Sequence, residues 1–393
     1  MRPQNSRASW FSASVAWLAV ASASLALVAC DAKFDVSTHS DSDDADVFAA
    51  PSGSVTSAPP AAPVTSSLPL PTPAVAPRGA PQTFADLAQA ADPAVVFVRV
   101  VQSQRSVFGR FLQEGSGSGF IFDASGLVLT NNHVVEGAEG IAVELFDGRT
   151  FPARILGRDA PTDVAVLKVE ASALPVLPLG DSQSMRVGDW VLAIGNPFGL
   201  QHTVSAGIIS AKDRSQGVSS GDSYVSYLQT DASINPGNSG GPLLDTSGRV
   251  IGINTAIRAE ANSIGFAIPI DMVRELLPRL QKEGVIQRAA LGISVSAIPP
   301  ERSPAGLGPR SPGAFVAGVI AQGPADRAGL REGDVIIELG GHEIDSPERL
   351  RWWASLSEIG KPTPLLVLRG GEKVMLTAVP VPLPEPRRVR RDL

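Results

Sequence analysis

The sequence places one serine, Ser239, in a setting that suits a nucleophile. Ser239 lies in the turn Gly237-Asn238-Ser239-Gly240-Gly241-Pro242. Its small neighbours would let a substrate backbone approach the hydroxyl and leave backbone N–H groups to face an oxyanion. The pattern also fits Gly-x-Ser-x-Gly, the nucleophile motif of α/β-hydrolases. Because a serine hydroxyl reacts at neutral pH only when a base takes its proton, a catalytic Ser239 requires a histidine within reach.

Four histidines are candidates for that base. His39 falls in a Pro- and Ser-rich segment, His202 follows the loop sequence Asn196-Pro197-Phe198-Gly199, and His342 falls in a predicted turn of the C-terminal region. His133 ends the run Leu129-Thr130-Asn131-Asn132-His133, which is typical of a strand that enters an apolar turn. His133 is therefore the best-placed base.

Chain order separates two classes of hydrolase. An α/β-hydrolase runs serine, acid, histidine, but the histidine that follows Ser239 is His342, in a separate predicted domain. The order His133, acid, Ser239 is that of chymotrypsin-type enzymes. The sequence therefore favours the chymotrypsin order.

Asp163 is the best candidate for the acid that orients the imidazole. It precedes the apolar run 164–167, where a carboxylate has little reason to lie unless it is paired. Asp159 and Asp181 are the competitors, and both lie in turn contexts. Each residue alone has an ordinary structural explanation, but three suitable residues in one order indicate a catalytic triad.

Short β-rich runs separated by turn signals dominate residues 83–283 and predict a sandwich or barrel. One helix is expected from Asp271 to Lys282, with Asp271 as its N-cap and with Pro278 bending it or cutting it short. The predicted strands lie within 93–101, 119–122, 127–129, 142–146, 164–169, 190–194, 207–210 and 250–253.

Composition excludes several other function classes. The chain has 33 Lys and Arg against 39 Asp and Glu, a net charge of −6, and no basic block inside the predicted folded part, which argues against nucleic-acid binding. One cysteine excludes an intramolecular disulfide, and four histidines leave little for a metal site. We therefore expect no metal and no cofactor.

The N-terminal 82 residues predict export and tethering. Residues 1–29 combine a basic start with an uncharged apolar run, as in a signal peptide or membrane anchor. Cys30 ends Leu27-Val28-Ala29-Cys30, which resembles the bacterial lipobox and predicts lipidation of Cys30. Residues 30–82 are rich in Pro, Ala and Ser, so they should form a disordered tether. The expected location is the bacterial periplasm, anchored at a membrane.

Several segments together resemble the HtrA/Deg serine proteases over residues 83–383. The resemblance implies a mostly β fold: a chymotrypsin-like double β-barrel, usually trimeric, followed by a small α+β PDZ domain. It assigns the triad to His133, Asp163 and Ser239, and the oxyanion hole to the N–H groups of Gly237 and Ser239, with Asn238 between them. The segments are 115–120, 130–135, 163–167, 193–199 and 228–243.

The resemblance also predicts substrate preference. In chymotrypsin-type enzymes the residue six before the nucleophile lies at the base of the S1 pocket, and here it is the small neutral Ser233. With Ile234, Ile253 and Ile264 nearby in sequence, we expect an apolar S1 pocket and cleavage after small or medium aliphatic residues.

The neutral Asn238 bears on activation. It precedes Ser239 and carries no charge, so it cannot pair with a newly cut N-terminal amine. Another element must order the oxyanion turn, and the C-terminal domain is the expected one.

Residues 287–383 predict the PDZ domain. Leu291, Gly292 and Ile293 resemble its carboxylate-binding loop and first groove strand, although alanines replace the usual preceding aromatic. Ser346 predicts the N-cap of a helix through Leu356. Its Leu350 and Trp353 could form a wall of the peptide groove, where a C-terminal peptide adds a strand, or could pack in the core. Residues 384–393 form a basic tail, expected to be solvated.

The sequence predicts an exported, membrane-tethered serine endopeptidase for quality control or regulated proteolysis. Its expected partners are unfolded or signalling proteins, C-terminal peptides at the PDZ domain, and the membrane. The short segment Gln102–Glu114 favours a homotrimer over a larger assembly. The alternative is a catalytically silent chaperone or PDZ scaffold.

Overall fold

The computed structural model describes residues 83–106, 109–196, 203–214, 224–235, 237–255, 264–299 and 313–384. The predicted signal peptide, Cys30 and tether, His39, His202 and nearly all of the basic tail lie outside these ranges. Within them, no helix has both the length and the apolar character needed to cross a bilayer.

The first barrel is a closed sheet of six antiparallel strands in the order β1-β2-β3-β6-β5-β4. Helix α1 (Ala85–Ala91) precedes it, and the one-turn helix α2 (Asn132–Val135) follows β3. Inward-facing valines, leucines and isoleucines fill its core. The strands are β1 (Val95–Ser106), β2 (Gly109–Asp123), β3 (Leu127–Asn131), β4 (Ala138–Glu144), β5 (Thr150–Asp159) and β6 (Val164–Val169).

The second barrel repeats this architecture in the order β10-β11-β12-β9-β8-β7. A shared apolar cluster joins the two barrels, with Leu129 and Val166 from the first against Ile194 and Ile253 from the second. The predicted double β-barrel is therefore confirmed. Its strands are β7 (Trp190–Gly195), β8 (Thr203–Arg214), β9 (Tyr227–Thr230), β10 (Pro242–Asp245), β11 (Val250–Thr255) and β12 (Gly265–Pro269).

Helix α3 (Ile270–Glu283) differs from its prediction in two respects. Pro269 is the N-cap, while Asp271 lies in the first turn and accepts bonds from Ser182 Oγ (2.6 Å) and Gln183 N (3.0 Å). Pro278 does not cut the helix short, and the helix runs to Glu283, with Gly284 as its C-cap at a φ of 77°. Its buried apolar stripe packs on the barrels and outweighs the one backbone bond that proline removes.

The C-terminal domain is a small α+β unit, as predicted. Five of its strands form one sheet in the order β14-β15-β16-β18-β19, with β17 beside β16 and with β13 paired to β20. Ser346 caps α5 by accepting a bond from Arg349 N (3.4 Å). The elements are β13 (Ala289–Ala290), β14 (Ile293–Ser296), β15 (Ala314–Val319), α4 (Pro324–Arg327), β16 (Val335–Leu339), β17 (His342–Glu343), α5 (Pro347–Leu356), β18 (Thr363–Arg369), β19 (Glu372–Ala378) and β20 (Val381–Pro382).

Candidate active site

Two hydrogen bonds join His133 to Asp163. His133 lies in α2, and Asp163 follows the 3-10 turn Ala160–Thr162 before β6. The imidazole Nδ1 is 2.8 Å from Asp163 Oδ2, and the backbone N–H of His133 donates to Asp163 Oδ1 at 2.9 Å. With both carboxylate oxygens engaged, the Nδ1–H tautomer is favoured and Nε2 is left to accept a proton.

Asp163 occupies a strained backbone conformation. Its φ of 57° and ψ of 35° lie in the left-handed region, which is uncommon for residues other than glycine although aspartate tolerates it better than most. Its carbonyl oxygen accepts bonds from Asn132 N (3.0 Å) and from Asn131 Nδ2 (3.1 Å). The neighbouring strand end thus holds this conformation and aims the carboxylate at His133.

The electrostatics of the pair favour a protonated imidazole. The His133 side chain is 46% exposed. Partial burial by itself lowers the pKa of His133, but the hydrogen bond to Asp163, its charge and that of Glu136 outweigh this effect and raise the pKa above its ordinary value of 6.5. The arrangement therefore stabilises the imidazolium that forms when His133 takes a proton.

The turn that carries Ser239 is fixed by backbone bonds and close contacts. Asn238 N donates to Asn235 O, and Gly241 N donates to Asn238 O, both at 3.0 Å. Gly240 has a φ of 87°, and a Cβ at this position would lie 2.1 Å from Ser118 O. Only glycine fits here. Because Gly240 has no side chain, the turn that carries the buried Ser239 packs directly on the first barrel.

Contacts across the barrels bring the segments of the three residues together. Thr255 Oγ1 donates to Asp163 Oδ2 (3.3 Å), while the preceding carbonyl, of Asn254, accepts from Gly240 N (2.9 Å). On the other side, a Cβ built on Gly117 would lie 2.7 Å from the side chain of Val134, next to His133, and 3.3 Å from Ser239 O. The acid, the base and the nucleophile turn therefore meet at one junction.

The residues predicted for the S1 pocket lie in different environments. Ser233 is exposed, and its carbonyl accepts bonds from Ser205 Oγ (2.8 Å) and Asn238 Nδ2 (3.3 Å). Ile234 is half-buried over Gly265, and Ile264 is 42% exposed. Ile253 has no exposed surface and packs in the shared core of the barrels.

Sequence reasoning missed two residues that contact this site. Thr255 reaches Asp163 from the second barrel, and no local signal marks it. Ser118 donates its backbone N–H to Ser239 O at 2.9 Å. It belongs to the motif 115–120 that carries the family resemblance, so its position was visible although its contacts were not.

The predicted peptide groove of the C-terminal domain divides into core and surface residues. Leu291 and Leu350 are buried in the domain core. Gly292 has a φ of 74°, and Ile293 begins β14, which has a neighbouring strand on one side only among the described residues. Trp353 stacks on His342 at 3.4 Å. An edge strand after a glycine turn is the geometry that a peptide needs in order to add a strand.

The described residues contain no group of three or more His, Cys, Asp or Glu side chains placed to hold a metal ion. The chemistry that these residues can perform is acyl transfer by a serine with histidine and aspartate support.

Comparison with protein families gives two matches. A model described as "Trypsin-like peptidase domain" matches residues 117–253, and one described as "PDZ domain" matches residues 289–379.

Individual relatives are named serine proteases, in agreement with the first match. The chain is 46% identical to "Putative serine protease HhoA" of Synechocystis over 69% of this chain and 72% of that protein. It is 45% identical to "Probable periplasmic serine endoprotease DegP-like" of Halomonas elongata over 65% of this chain and 54% of that protein. Among solved structures, "HtrA-type protease AlgW with tripeptide" has a TM-score of 0.66 at 42% identity, covering 77% of this chain and 98% of that one.

Proposed function

Because this chain belongs to the HtrA/DegP-like family of serine proteases and is a serine endopeptidase with one PDZ domain, we propose that His133, Asp163 and Ser239 are its catalytic triad. The observation that carries this assignment is the pair of bonds from His133 to the two oxygens of Asp163, at 2.8 and 2.9 Å. Contacts through Thr255, Asn254 and Gly117 tie that pair to the Ser239 turn.

Each residue has one role in the proposed reaction. His133 Nε2 takes the Ser239 Oγ proton as Oγ bonds to the scissile carbonyl carbon, and the carbonyl oxygen becomes an oxyanion beside the N–H groups of Gly237 and Ser239. The imidazolium then gives that proton to the leaving amine as the C–N bond breaks. Water, activated by His133, hydrolyses the acyl-enzyme and restores Ser239.

Asp163 acts through His133 throughout this sequence. It holds the tautomer that leaves Nε2 free of a proton and stabilises the imidazolium after proton transfer. The raised pKa of His133 reflects that stabilisation of the imidazolium.

The S1 pocket is proposed to accept small or medium aliphatic side chains. The support is the neutral, exposed Ser233, with the half-buried Ile234 next to it in the chain and Ile264 42% exposed. Peptides that differ only in the residue before the scissile bond test this proposal. A preference of about tenfold for Val over Arg in kcat/KM is expected, and a preference for Arg would overturn it.

The PDZ domain is proposed to bind C-terminal peptides and to adjust the activity of the protease domain. Its support is the edge strand β14 after Gly292, together with the related structures "HtrA-type protease AlgW with decapeptide" and "HtrA-type protease AlgW with tripeptide". The substrates would be unfolded or signalling proteins.

The location and assembly are proposed from the sequence. Relatives are named periplasmic, and residues 1–30 carry the apolar run and Cys30 described above. We propose a periplasmic protein that is tethered to a membrane by Cys30 and assembles as a homotrimer. Replacement of Cys30 by Ser should move the protein from the membrane fraction to the soluble fraction, and mass measurement in solution tests the trimer.

A fluorophosphonate probe that labels reactive serines tests the triad. Wild type should be labelled, more strongly when C-terminal peptides are added, and Ser239→Ala should not. Ser182→Ala removes a buried hydroxyl that binds Asp271, away from the triad, and serves as the folded control. If wild type and control stay unlabelled under both conditions, the protein is the silent chaperone or scaffold instead.

A further inference from the structure

Ser118 connects four segments at the contact between the barrels. It lies in β2 with no exposed surface. Its backbone N–H donates to Ser239 O at 2.9 Å, and its carbonyl accepts from Thr130 Oγ1 at 2.7 Å. Its hydroxyl donates to Gly237 O at 2.5 Å and accepts from Asn196 N at 2.7 Å. Both hydrogen-bonding functions of this buried hydroxyl are therefore used on backbone groups.

The bond to Gly237 acts on the peptide unit at the centre of the oxyanion turn. That unit joins Gly237 to Asn238, and the N–H groups proposed for the oxyanion hole belong to the units on either side of it. Its carbonyl is held by Ser118, and its N–H is held by Asn235 O at 3.0 Å. The central unit, to which both flanking units are joined, is therefore held at both ends.

The turn needs this restraint because glycine supplies none of its own. Gly237 has a φ of 108°, and without a side chain it can adopt several orientations at similar energy. A hydrogen bond in a buried environment is worth more than one exposed to water. The Ser118 bond therefore selects one orientation of the turn.

The turn sequence 237–242 contains no charged residue that could perform this task. Asn238 is buried and neutral, and its amide donates to Ser233 O at 3.3 Å. The sequence alone pointed to the C-terminal domain as the ordering element. Ser118 offers one inside the protease domain, before any peptide binds.

We propose that Ser118 is a positioning residue for the oxyanion hole: its hydroxyl, bonded to Gly237 O and Asn196 N, orders the turn that presents the N–H groups of Gly237 and Ser239. This inference rests on the proposed roles of Ser239 and the oxyanion turn. Ser118 acts through the backbone groups that it binds.

The test removes the hydroxyl and separates positioning from folding. For Ser118→Ala, kcat/KM with a peptide substrate should fall about 10²-fold through kcat, the loss typical of one oxyanion donor, while KM changes less than about threefold. The inhibition constant of a matching peptide aldehyde should rise in parallel, because its tetrahedral adduct also needs the oxyanion hole. Ser118→Gly should show the same loss, since it lacks the same hydroxyl.

Two controls identify the cause of a loss. Ser182→Ala also deletes a buried hydroxyl, which donates to Asp271 at 2.6 Å, and should keep the aldehyde affinity and kcat of wild type. All assays are run well below the melting temperature of each variant, measured by circular dichroism. A purely structural role would lower the melting temperature while leaving kcat and aldehyde affinity per folded molecule unchanged.

The outcomes separate this inference from the proposed function. If Ser239→Ala abolishes activity while Ser118→Ala keeps kcat and aldehyde affinity within threefold of wild type, the triad stands and the role of Ser118 is wrong. If Ser239→Ala remains active, the proposed function itself fails. If Ser118→Gly alone loses activity, side-chain volume rather than the hydroxyl is responsible, and the inference is overturned.

Discussion

Two junctions organise this protein, and different interactions hold them. The junction between the barrels is built from bonds to backbone groups: the Ser118 hydroxyl on Gly237 and Asn196, and the Ser118 N–H on Ser239 O. The junction between the protease and C-terminal domains centres on one buried cation, Arg288.

Arg288 is surrounded by partners from both domains. Its guanidinium pairs with the buried Asp159 and donates to Ser355 Oγ at 2.9 Å. It also lies over the rings of Tyr224 at 4.6 Å and Trp352 at 5.6 Å. Since Asp159 also accepts from Thr162 Oγ1 at 2.6 Å, this cluster reaches the residue next to Asp163.

The difference teaches how each junction can fail. Several hydrogen bonds to backbone groups together position a site accurately. This suits a site whose groups must lie within fractions of an ångström of their working positions. A buried ion pair contributes little net stability, but removing one partner leaves an unpaired charge in the interior. Substitutions at the junction between the barrels should therefore lower catalytic activity. Substitutions at the junction between the protease and C-terminal domains should lower stability.

The largest expected effect is on catalysis. Asp163→Asn should lower kcat by about 10⁴-fold while the fold is kept, because the amide cannot stabilise the imidazolium and favours the wrong tautomer. Peptide hydrolysis at saturating substrate measures this. The matched control is Asp181→Asn, whose carboxylate accepts from Gln183 N (2.9 Å) and Ser184 N (3.1 Å) in a turn. If both variants lose activity equally, Asp163 has no special role.

The second effect is on stability. Arg288→Met should lower the free energy of unfolding by about 3–5 kcal/mol, because Asp159 stays buried without its cation. Arg149→Met breaks a pair whose side chains are about half exposed, and it should cost much less because water screens that pair. Urea denaturation compares the two. Equal losses would show that the buried pair does not hold the second junction.

The double variant Asp159→Asn/Arg288→Met sharpens this contrast. With both members of the pair replaced by neutral side chains, it should be more stable than Arg288→Met alone. A double variant that is less stable than the single would mean that Asp159 has a separate structural role.

The third effect is on the pH dependence of activity. His133 must be neutral to accept the serine proton, and its pKa is raised by Asp163 and, more weakly, by Glu136. Activity should therefore fall about tenfold per pH unit on the acid side, starting above pH 6.5. Glu136→Gln should move this limb to slightly lower pH in a profile of kcat/KM. A limb that moves to higher pH would contradict the assignment of His133.

The smallest effect concerns the groove of the C-terminal domain. If β14 accepts a peptide whose carboxylate meets backbone N–H groups, amidation of that carboxylate should weaken binding about tenfold, the value of one charge-assisted bond. Calorimetry with a peptide and its amide measures this. Equal affinities would show that the domain does not recognise a C-terminus.

The sequence determined the parts of this protein that depend on local rules. Turn signals and β-rich runs predicted eight of the twelve barrel strands, and they missed β5, β9, β10 and β12. A serine N-cap predicted α5, and chain order favoured His133, Asp163 and Ser239 over other combinations. These features are local because glycine conformations, caps and strand propensities act over a few residues.

Only the tertiary structure decided which distant groups meet. Strand β11 is buried at all six positions, so it shows no alternation, and Ile253 could not be assigned to the core rather than to a pocket. Pro278 stayed inside a helix because packing outweighs propensity. The contacts of Ser118, Thr255 and Arg288 depend on the closure and register of two barrels, and side-chain spacing within one segment carries no information about partners that lie a hundred residues away.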